Sequence, residues 1–383
     1  MSTDHDEKIV EDIPQMRSVA MMSPVPMVPL ARSIATPKAQ LISSARFVEK
    51  KEIISPSPTG WELAVTDPLP AIYMLERTHT YVSNAGAKEV ANRIANSLRL
   101  QSIAATFSTK EALATAETSN QVVFTIRLWS HKKQVLVELQ RVSGCCFFYQ
   151  QTVKALFRAA KGEPERRLSY NYSIPDCVPQ ESPEETKQCV QEGIDCASAL
   201  LKKEGRFDSH ALAMESLVHI TNATKCRTFA AHCILCGDFL STLICLVEAS
   251  RMERPGTAMQ GLSSMEEEHF RVMHRHALAV LANCLSALDD SGELAHVLKQ
   301  QPELSSTTFL LALLDDVENA TDRPHDACQA TRCLCALVQT CSDTKSRIVG
   351  ELGGLPALEA AHSQGICRNA YLETECQKLK LHL

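Results

Sequence analysis

Cysteine and histidine are the residues of this chain best suited to chemistry, and four of them lie close together in the sequence. Cys226, His232, Cys233 and Cys236 combine a C-x-x-C pair with a nearby imidazole, which is a spacing that binds zinc. No second C-x-x-C pair follows, and the same cysteines are seven and three residues apart, which also suits one face of a buried helix. Core packing is therefore the preferred interpretation, and zinc binding is the alternative. Three later cysteines are interpreted in the same way: Cys333, Cys335 and Cys341.

A cysteine nucleophile needs a histidine base beside it in a polar pocket. Cys145 and Cys146 follow a glycine, and His131 is the nearest histidine in sequence. A hairpin in this segment would place His131 at the opposite end of the strand. We therefore predict that the protein is not an enzyme and uses no cofactor or metal, with a cysteine-dependent or zinc enzyme as the alternative. His274 and His276, which follow an acidic run, are predicted to lie on a helix surface.

Basic residues concentrate between residues 127 and 167, where nine Lys or Arg stand against three Glu. The whole chain carries a net charge of −6, so this excess is local. A basic surface suits anionic phospholipid headgroups, near which each cation contributes about 1 kcal/mol. A solvated basic face that binds nothing is the alternative. The candidate contact residues are Arg127, Lys132, Lys133, Arg141, Lys154, Arg158 and Lys161.

Two strands and a helix must position these cations. Apolar residues alternate in each strand segment, and a polar connection at residues 130–133 predicts a hairpin. Ser143 and Gly144 then end the second strand, and apolar residues recur at helical spacing. The alternating residues are Val122, Phe124, Ile126 and Leu128, then Val135, Val137 and Leu139. The helical face comprises Phe148, Thr152, Leu156, Phe157 and Ala160.

An earlier strand and helix complete the predicted α+β domain. Tyr81 and Val82 indicate a strand, and Asn84 is placed to cap a helix whose face carries Val90, Ile94 and Leu98. Residues 103–107 and 113–117 are two further short strands. The order of strand, helix, several strands and helix predicts an antiparallel sheet with both helices on one face, over residues 69–162.

The segment LVELQRVSGCCFFYQQTVKALFRAA resembles the end of the kinase-associated C-terminal domain of microtubule-affinity-regulating and related kinases. In that family a last strand with a basic residue leads into R-x-S-G, a phenylalanine and the closing helix, and here Arg141, Ser143, Gly144 and Phe148 match that pattern. The resemblance covers about 95 residues. It implies binding of anionic phospholipid, or docking on a partner or kinase domain. The chain itself has no glycine-rich phosphate loop, H-R-D or D-F-G, so a kinase would have to be a separate partner.

The rest of the chain is predicted to be a tail, a linker and a helical-repeat region. Residues 1–68 are rich in proline without a strand or helix period, which predicts a disordered tail. Residues 163–181 suit a linker. From Ser182, Pro183 and Glu185, which form a capping box, the period is helical through residues 182–383. Leucine- and alanine-rich helices with a G-G-x-P-x-L segment look like about three degenerate armadillo repeats, an all-α solenoid, with residues 252–268 as an inserted loop.

Composition limits the class of protein and its location. With 383 residues, 45% hydrophobic, the chain is long enough for two domains. Its acidic balance argues against a nucleic-acid partner. An acidic N-terminus and sixteen cysteines in mostly apolar helical stretches predict a cytoplasmic protein with reduced thiols, peripheral at a membrane if the basic surface binds lipid. We expect an adaptor whose repeats bind a protein partner and whose α+β domain contacts phospholipid or a kinase-type partner. A scaffold without a lipid role is the alternative, and the oligomeric state stays open.

Overall fold

Five strands form one antiparallel sheet in the N-terminal part of the protein. The structure is a computed structural model that describes residues 60–63, 65–108, 111–164, 182–223, 226–249 and 264–383. The spatial order of the strands is β1-β5-β4-β3-β2. All described residues belong to one compact unit. The strands are β1 (His79–Val82), β2 (Ala104–Phe107), β3 (Leu113–Glu117), β4 (Val123–His131) and β5 (Gln134–Ser143).

The predicted β4–β5 hairpin is present and is longer than its sequence pattern indicates. Pairing continues up to the residues that flank Lys132 and Lys133, so these two residues alone form the turn. Lys132 has a φ of +55°, in the left-handed region that two-residue hairpin turns use. At the other end of β5, Gly144 has a φ of +90°, and a Cβ there would lie 2.6 Å from the carbonyl oxygen of Gln121. Only glycine fits this position, and β5 ends there as predicted.

Helices α1 (Ala87–Leu100) and α2 (Cys146–Lys161) share an apolar core with one face of the sheet. The register places Leu139 beside Ile126 and Val137 beside Leu128, and these four side chains are buried under the helices. The predicted inner face of α1 is confirmed: Val90, Ile94 and Leu98 are all buried. On α2 the predicted Thr152, Leu156 and Ala160 are buried, whereas Phe148 and Phe157 are half-buried.

Asn84 does not cap α1, which corrects the prediction. The N-cap is Gly86, and its position has no side-chain hydrogen bond to the helix. The backbone between β1 and α1 is two residues longer than a cap at Asn84 would allow. Sequence propensity for capping is strong, but it does not determine which of two nearby residues starts the helix.

An extended segment at residues 65–77 covers part of the opposite face of the sheet. Tyr73 packs edge-on against Trp129, with ring centroids 5.1 Å apart. Glu138 is only 3% exposed at this face, and its carboxylate accepts hydrogen bonds from Tyr73 Oη at 2.8 Å, Glu76 N at 2.8 Å and Trp129 Nε1 at 3.1 Å. Three donors thus satisfy a carboxylate that would otherwise be costly to bury.

Trp61 shows that the folded region begins before residue 69. The Trp61 side chain is fully buried in the sheet core, packs against Phe107 at 5.4 Å and donates a hydrogen bond to Ser108 O. The predicted tail of residues 1–68 is therefore too long at its C-terminal end, where Trp61 belongs to the core of the sheet region. Residues 1–59 and most of the predicted linker, residues 165–181, lie outside the described residues.

Helices make up the region from residue 182 onward. The helix α7 is central, because it packs against α4, α5, α6 and α10, while α10 also packs against α9 and α13. Short 3-10 and π turns occur at Pro302–Ser305 and Arg347–Glu351. The helices are α3 (Pro183–Leu201), α4 (Phe207–Asn222), α5 (Arg227–Leu235), α6 (Phe239–Ala249), α7 (Ser264–Ser291), α8 (Leu294–Gln300), α9 (Thr307–Glu318), α10 (Pro324–Thr340), α11 (Ser342–Ser346), α12 (Gly354–Arg368) and α13 (Ala370–His382).

The start of this helical region follows the sequence signal closely. Ser182 Oγ accepts a hydrogen bond from Glu185 N at 3.2 Å, and Glu185 Oε2 accepts one from Ser182 N at 2.7 Å. This is the predicted capping box. The predicted inner face of α3 is buried at Val190, Ile194 and Ala197, and Leu201 is half-buried. Residues 264–268, predicted as part of an inserted loop, belong instead to the first turns of α7, and residues 252–263 lie outside the described range.

No single helix in the described ranges is long and apolar enough to cross a membrane. The pair α5 and α6 reaches the required length and composition only together, and it bends by 80° at the break between the two helices.

Candidate functional site

The seven predicted contact residues occupy separate parts of the sheet region. Lys132 and Lys133 lie at the exposed hairpin turn, whereas Arg141 lies toward the other end of β5. Arg141 lies eight positions along the extended strand from Lys133, a distance of about 26 Å at the usual rise per residue. The turn lysines and Arg141 therefore do not converge on one small ligand.

Arg127 is engaged within the sheet. Its guanidinium carbon lies 5.2 Å from the centre of the Trp129 ring, and its Cα is paired with that of Glu138 on the neighbouring strand. The side chain is half-buried. A cation that stacks on an indole and faces a carboxylate has its charge compensated internally, so Arg127 is the weakest of the predicted contacts.

The remaining three predicted cations converge with Phe147 on one face of α2. Lys154, Arg158 and Lys161 follow Phe147 by seven, eleven and fourteen positions, so at about 100° per residue all four lie within an arc of about 60°. Phe147 is 70% exposed, and the three cations are exposed. The only acidic neighbour described for them is Glu163, 3.8 Å from Arg158 Nε. We call Phe147, Lys154, Arg158 and Lys161 the α2 stripe; it is about 21 Å long.

The buried side of α2 holds this stripe rigidly. Tyr149, Val153 and Leu156 fill the core below it, and Tyr149 Oη lies 3.1 Å from Thr78 Oγ1. Burial raises the pKa of the Tyr149 hydroxyl, so it remains protonated. Arg93 of α1 donates a hydrogen bond to Ala160 O at 3.2 Å, which ties the end of α2 to its neighbour.

Exposed apolar and thiol side chains lie next to the N-terminal end of the α2 stripe. Val142 is 63% exposed at the end of β5, and Cys145 and Cys146 are exposed where the chain enters α2. Arg141 donates a hydrogen bond to Gly144 O at 2.6 Å across this short connection. His131 lies at the hairpin turn, far from both thiols, as the hairpin prediction requires.

A second polar cluster, which no sequence pattern indicated, joins the sheet to the helices. Arg275 of α7 bonds both Glu117 of β3 and Asp326 of α10, with 2.9 Å between its Nε and Asp326 Oδ1. Burial opposes its charge, but Asp326 and Glu117 outweigh burial and raise the pKa of Arg275. Asp326 is only 2% exposed, so this pairing neutralises a buried carboxylate. His325 Nε2 also lies 3.1 Å from Glu117 O. We call these four residues the Arg275 cluster.

A further set of contacts joins α1 to α12 and α13. Arg99 donates hydrogen bonds to Ile366 O at 2.5 Å and to Glu373 Oε2 at 2.6 Å. Ser102 Oγ accepts a hydrogen bond from Tyr371 N at 2.9 Å. Crevices of about 190 and 300 Å³ adjoin Glu117: the first reaches α12 and α13, and the second reaches Ser143 and Gly144 at the end of β5 and Glu268 of α7. Glu117 and Arg275, which line the second crevice, are paired with each other.

His274 and His276 are not on an open helix surface, which corrects the prediction. His274 is 1% exposed, and its two ring nitrogens lie 3.1 Å from Leu246 O and from Asp316 Oδ1. Burial alone would lower the pKa of His274, but the bond to Asp316 raises it to about 9. Burial and then Arg275 lower the pKa of His276 to about 4. The acidic residues that precede them lie in the exposed first turns of α7, and the helix becomes buried only from Met273 onward. The acidic run therefore did not report the environment of the two histidines.

The candidate zinc ligands contact different parts of the helical region. His232 bonds Glu293, and Cys236 Sγ lies 3.9 Å from Gln300 Oε1. Cys226 and Cys233 are half-buried against the helical core, and burial raises the pKa of the Cys233 thiol, whereas Cys236 is exposed. The core-packing prediction thus holds for two of these three cysteines. In the described ranges no group of three or more His, Cys, Asp or Glu could hold a metal ion.

The later cysteines divide in the same way. Cys333 and Cys335 are buried, and burial raises the pKa of their thiols to about 12 and about 11. Cys341 is half-buried at the junction of α10 and α11, where a hydrogen bond from Thr344 lowers the pKa of its thiol. Core packing is confirmed for the first two and is wrong for Cys341.

Comparison of the chain with protein families, with curated proteins and with solved structures finds no match. The kinase-associated and armadillo resemblances therefore remain predictions, and function has to be argued from the geometry of the two surfaces described above.

Proposed function

We propose that this protein is a non-enzymatic adaptor that contacts anionic phospholipid surfaces through the α2 stripe. The observation that carries the proposal is the coincidence of Lys154, Arg158, Lys161 and the exposed Phe147 ring on one face of a rigidly packed helix. An aromatic side chain beside cations is the pattern of helices that lie in the membrane interface, with the ring in the acyl boundary and the cations at the headgroups.

The strength of such a contact follows from its parts. Three cations contribute about 3 kcal/mol near an anionic membrane, and insertion of one phenylalanine contributes about 2 kcal/mol. The sum of about 5 kcal/mol corresponds to a dissociation constant of about 0.2 mM. Binding through the α2 stripe alone is therefore weak, reversible and sensitive to salt.

The helical region supplies the second half of the proposal. Its helices pack from neighbour to neighbour, α4 on α3 and α7, α7 on α10, and α10 on α13. This succession supports an armadillo-like arrangement that offers a surface to a protein partner. Because the Arg275 cluster ties the sheet to these helices, a partner held there would be presented to the membrane in a defined orientation.

The test is co-sedimentation of the full chain with phosphatidylserine vesicles at low salt. The triple variant Lys154→Ala, Arg158→Ala, Lys161→Ala is expected to bind at least tenfold more weakly than the unmodified chain. The matched control, Lys202→Ala, Lys203→Ala, Lys299→Ala, removes three exposed cations of the helical region and is expected to bind like the unmodified chain. A third variant, Lys132→Ala, Lys133→Ala, measures the contribution of the hairpin turn.

Two results would overturn the proposal. One is that the unmodified chain ignores phosphatidylserine vesicles at low salt. The other is that the control triple variant loses as much binding as the α2 triple variant, which would mean that net charge, and not the α2 stripe, attracts the protein.

A further inference from the structure

Cys145 and Cys146 form an adjacent pair of exposed thiols at the entrance to α2. Cys145 is the N-cap residue, with extended backbone angles of φ −68° and ψ 127°, and Cys146 begins the helix. The pair stands on a turn fixed by Gly144 on one side and by a packed helix on the other. Both thiols are therefore accessible at a defined place on the surface.

The segment of chain that carries this pair is apolar and basic. Val142 and Phe147, two large exposed apolar side chains, bracket the two cysteines. The segment from residue 141 to residue 161 contains four Lys or Arg and no Asp or Glu. A surface that places thiols between exposed hydrophobic residues and cations has the composition of a membrane-facing patch.

Two exposed cysteines on α3 provide a contrast. Cys189 and Cys196 are seven residues apart on one helix and are both exposed. Their helix, residues 183–201, carries four acidic residues and one lysine, so an anionic membrane would repel it. Exposure of the thiol is common to both pairs, and only the α2 pair adds an apolar and basic setting.

Resting on the proposed membrane contact, we propose that Cys145 and Cys146 are sites of S-acylation by long-chain fatty acyl thioesters. The cysteine sulfur attacks the carbonyl carbon of an acyl-coenzyme A. A new carbon–sulfur bond forms, the bond to the coenzyme A sulfur breaks, and the cysteine proton ends on the released coenzyme A thiol. No oxidant or reductant is consumed.

The acyl chain would convert a weak contact into a stable one. Stable anchoring of a peripheral protein takes two signals, such as one lipid chain and one basic patch. The α2 stripe is the basic patch, and a chain on Cys145 or Cys146 would enter the bilayer beside Phe147. Because cleavage of a thioester restores the free thiol, the anchor would be reversible.

The experiment labels the full chain in eukaryotic cells with an alkynyl analogue of palmitate and measures the label before and after treatment with hydroxylamine, which cleaves thioesters. The unmodified chain is expected to carry a label that hydroxylamine removes. The Cys145→Ser, Cys146→Ser variant is expected to lose at least nine-tenths of it, and the matched Cys189→Ser, Cys196→Ser variant to keep it. Absence of label on the unmodified chain, or retention of label by the Cys145→Ser, Cys146→Ser variant, overturns the proposal. Thermal unfolding of each variant confirms that it is folded.

The design separates this proposal from the proposed function. Vesicle binding by purified chain without an acyl group tests the α2 stripe alone. If that chain binds vesicles but no label is found in cells, the S-acylation proposal is contradicted and the proposed lipid contact is retained. The opposite result is also distinguishable. If Cys145 and Cys146 carry a hydroxylamine-sensitive label but vesicle binding is unchanged by replacement of Lys154, Arg158 and Lys161, the acylation site is supported and the role of the cations is contradicted.

Discussion

Helices α1 and α2 lie on the same face of the sheet and share its core, yet their outer surfaces are used differently. Arg99 at the end of α1 bonds Ile366 O and Glu373, so that flank is covered by α12 and α13. On α2, by contrast, Lys154, Arg158 and Lys161 face outward beside an exposed phenylalanine. Cations at the covered flank stabilise the protein, and cations at the open flank are available to something outside it. The same residue types thus serve two purposes, and accessibility distinguishes them.

Replacing Arg275 is expected to give the largest effect on folding. In Arg275→Met, Glu117 and Asp326 lose their shared cation, and removing one partner of a buried ion pair costs about 3–5 kcal/mol. Chemical denaturation would measure the loss in the free energy of unfolding. The control is Arg271→Met, one turn earlier on α7, where the side chain is exposed and pairs with Glu268; the cost there is expected to be below about 1 kcal/mol. Equal losses of unfolding free energy in both variants would contradict the claim that covered cations stabilise the fold more than exposed ones.

His274 and His276 predict opposite dependences of stability on pH. The pKa of His274 is raised to about 9, so its contribution is complete below about pH 6.5 and is lost as pH rises toward 9. The pKa of His276 is lowered to about 4, so its contribution is complete above about pH 6.5 and is lost as pH falls toward 4.

Unfolding free energies measured across this pH range separate the two histidines. The stability difference between the unmodified chain and His274→Gln should shrink between about pH 6.5 and 9. The difference from His276→Gln should shrink on the acid side instead. A constant difference for His274→Gln across the alkaline range would mean that this imidazole does not pair with Asp316.

The buried and exposed cysteines extend the comparison to a smaller effect. Cys333→Ser places a hydroxyl in the apolar core of the helical region and is expected to cost about 1–3 kcal/mol. Cys145→Ser changes an exposed residue and is expected to cost no more than about 0.5 kcal/mol. Denaturation midpoints check both values. In the native protein a thiol reagent should also modify Cys145 and Cys146 well before Cys333, because burial raises the pKa of the Cys333 thiol to about 12 and hides it.

The smallest effect on folding is expected for the α2 stripe itself. The variant Lys154→Ala, Arg158→Ala, Lys161→Ala removes three exposed side chains from a helix, so its unfolding free energy should stay within about 0.5 kcal/mol of the original. Its vesicle binding should fall at the same time. A clear loss of stability would show that these cations belong to the fold, and the comparison between α1 and α2 would then fail.

Sequence patterns predicted the strands and helices of the sheet region more accurately than the residues at which they begin and end, or the residues that pack against them. Alternation predicted β4 and β5, and helical spacing predicted the inner faces of α1 and α2, because burial of one face imposes a period on the chain. Trp61 was missed because one aromatic anchor in a proline-rich segment creates no period. Asn84 was misjudged because several residues near a helix start satisfy the same preference.

The amino-acid sequence by itself determined the strands, the helices, the capping box at Ser182 and the local excess of cations, since each depends on residues that are neighbours along the chain. Only the tertiary structure decided which cations are available. Glu117 and Asp326 enclose Arg275, whereas the side chain of Lys154 is exposed to solvent. Residues distant in sequence supply the partners that cover a charge, and no local pattern records them.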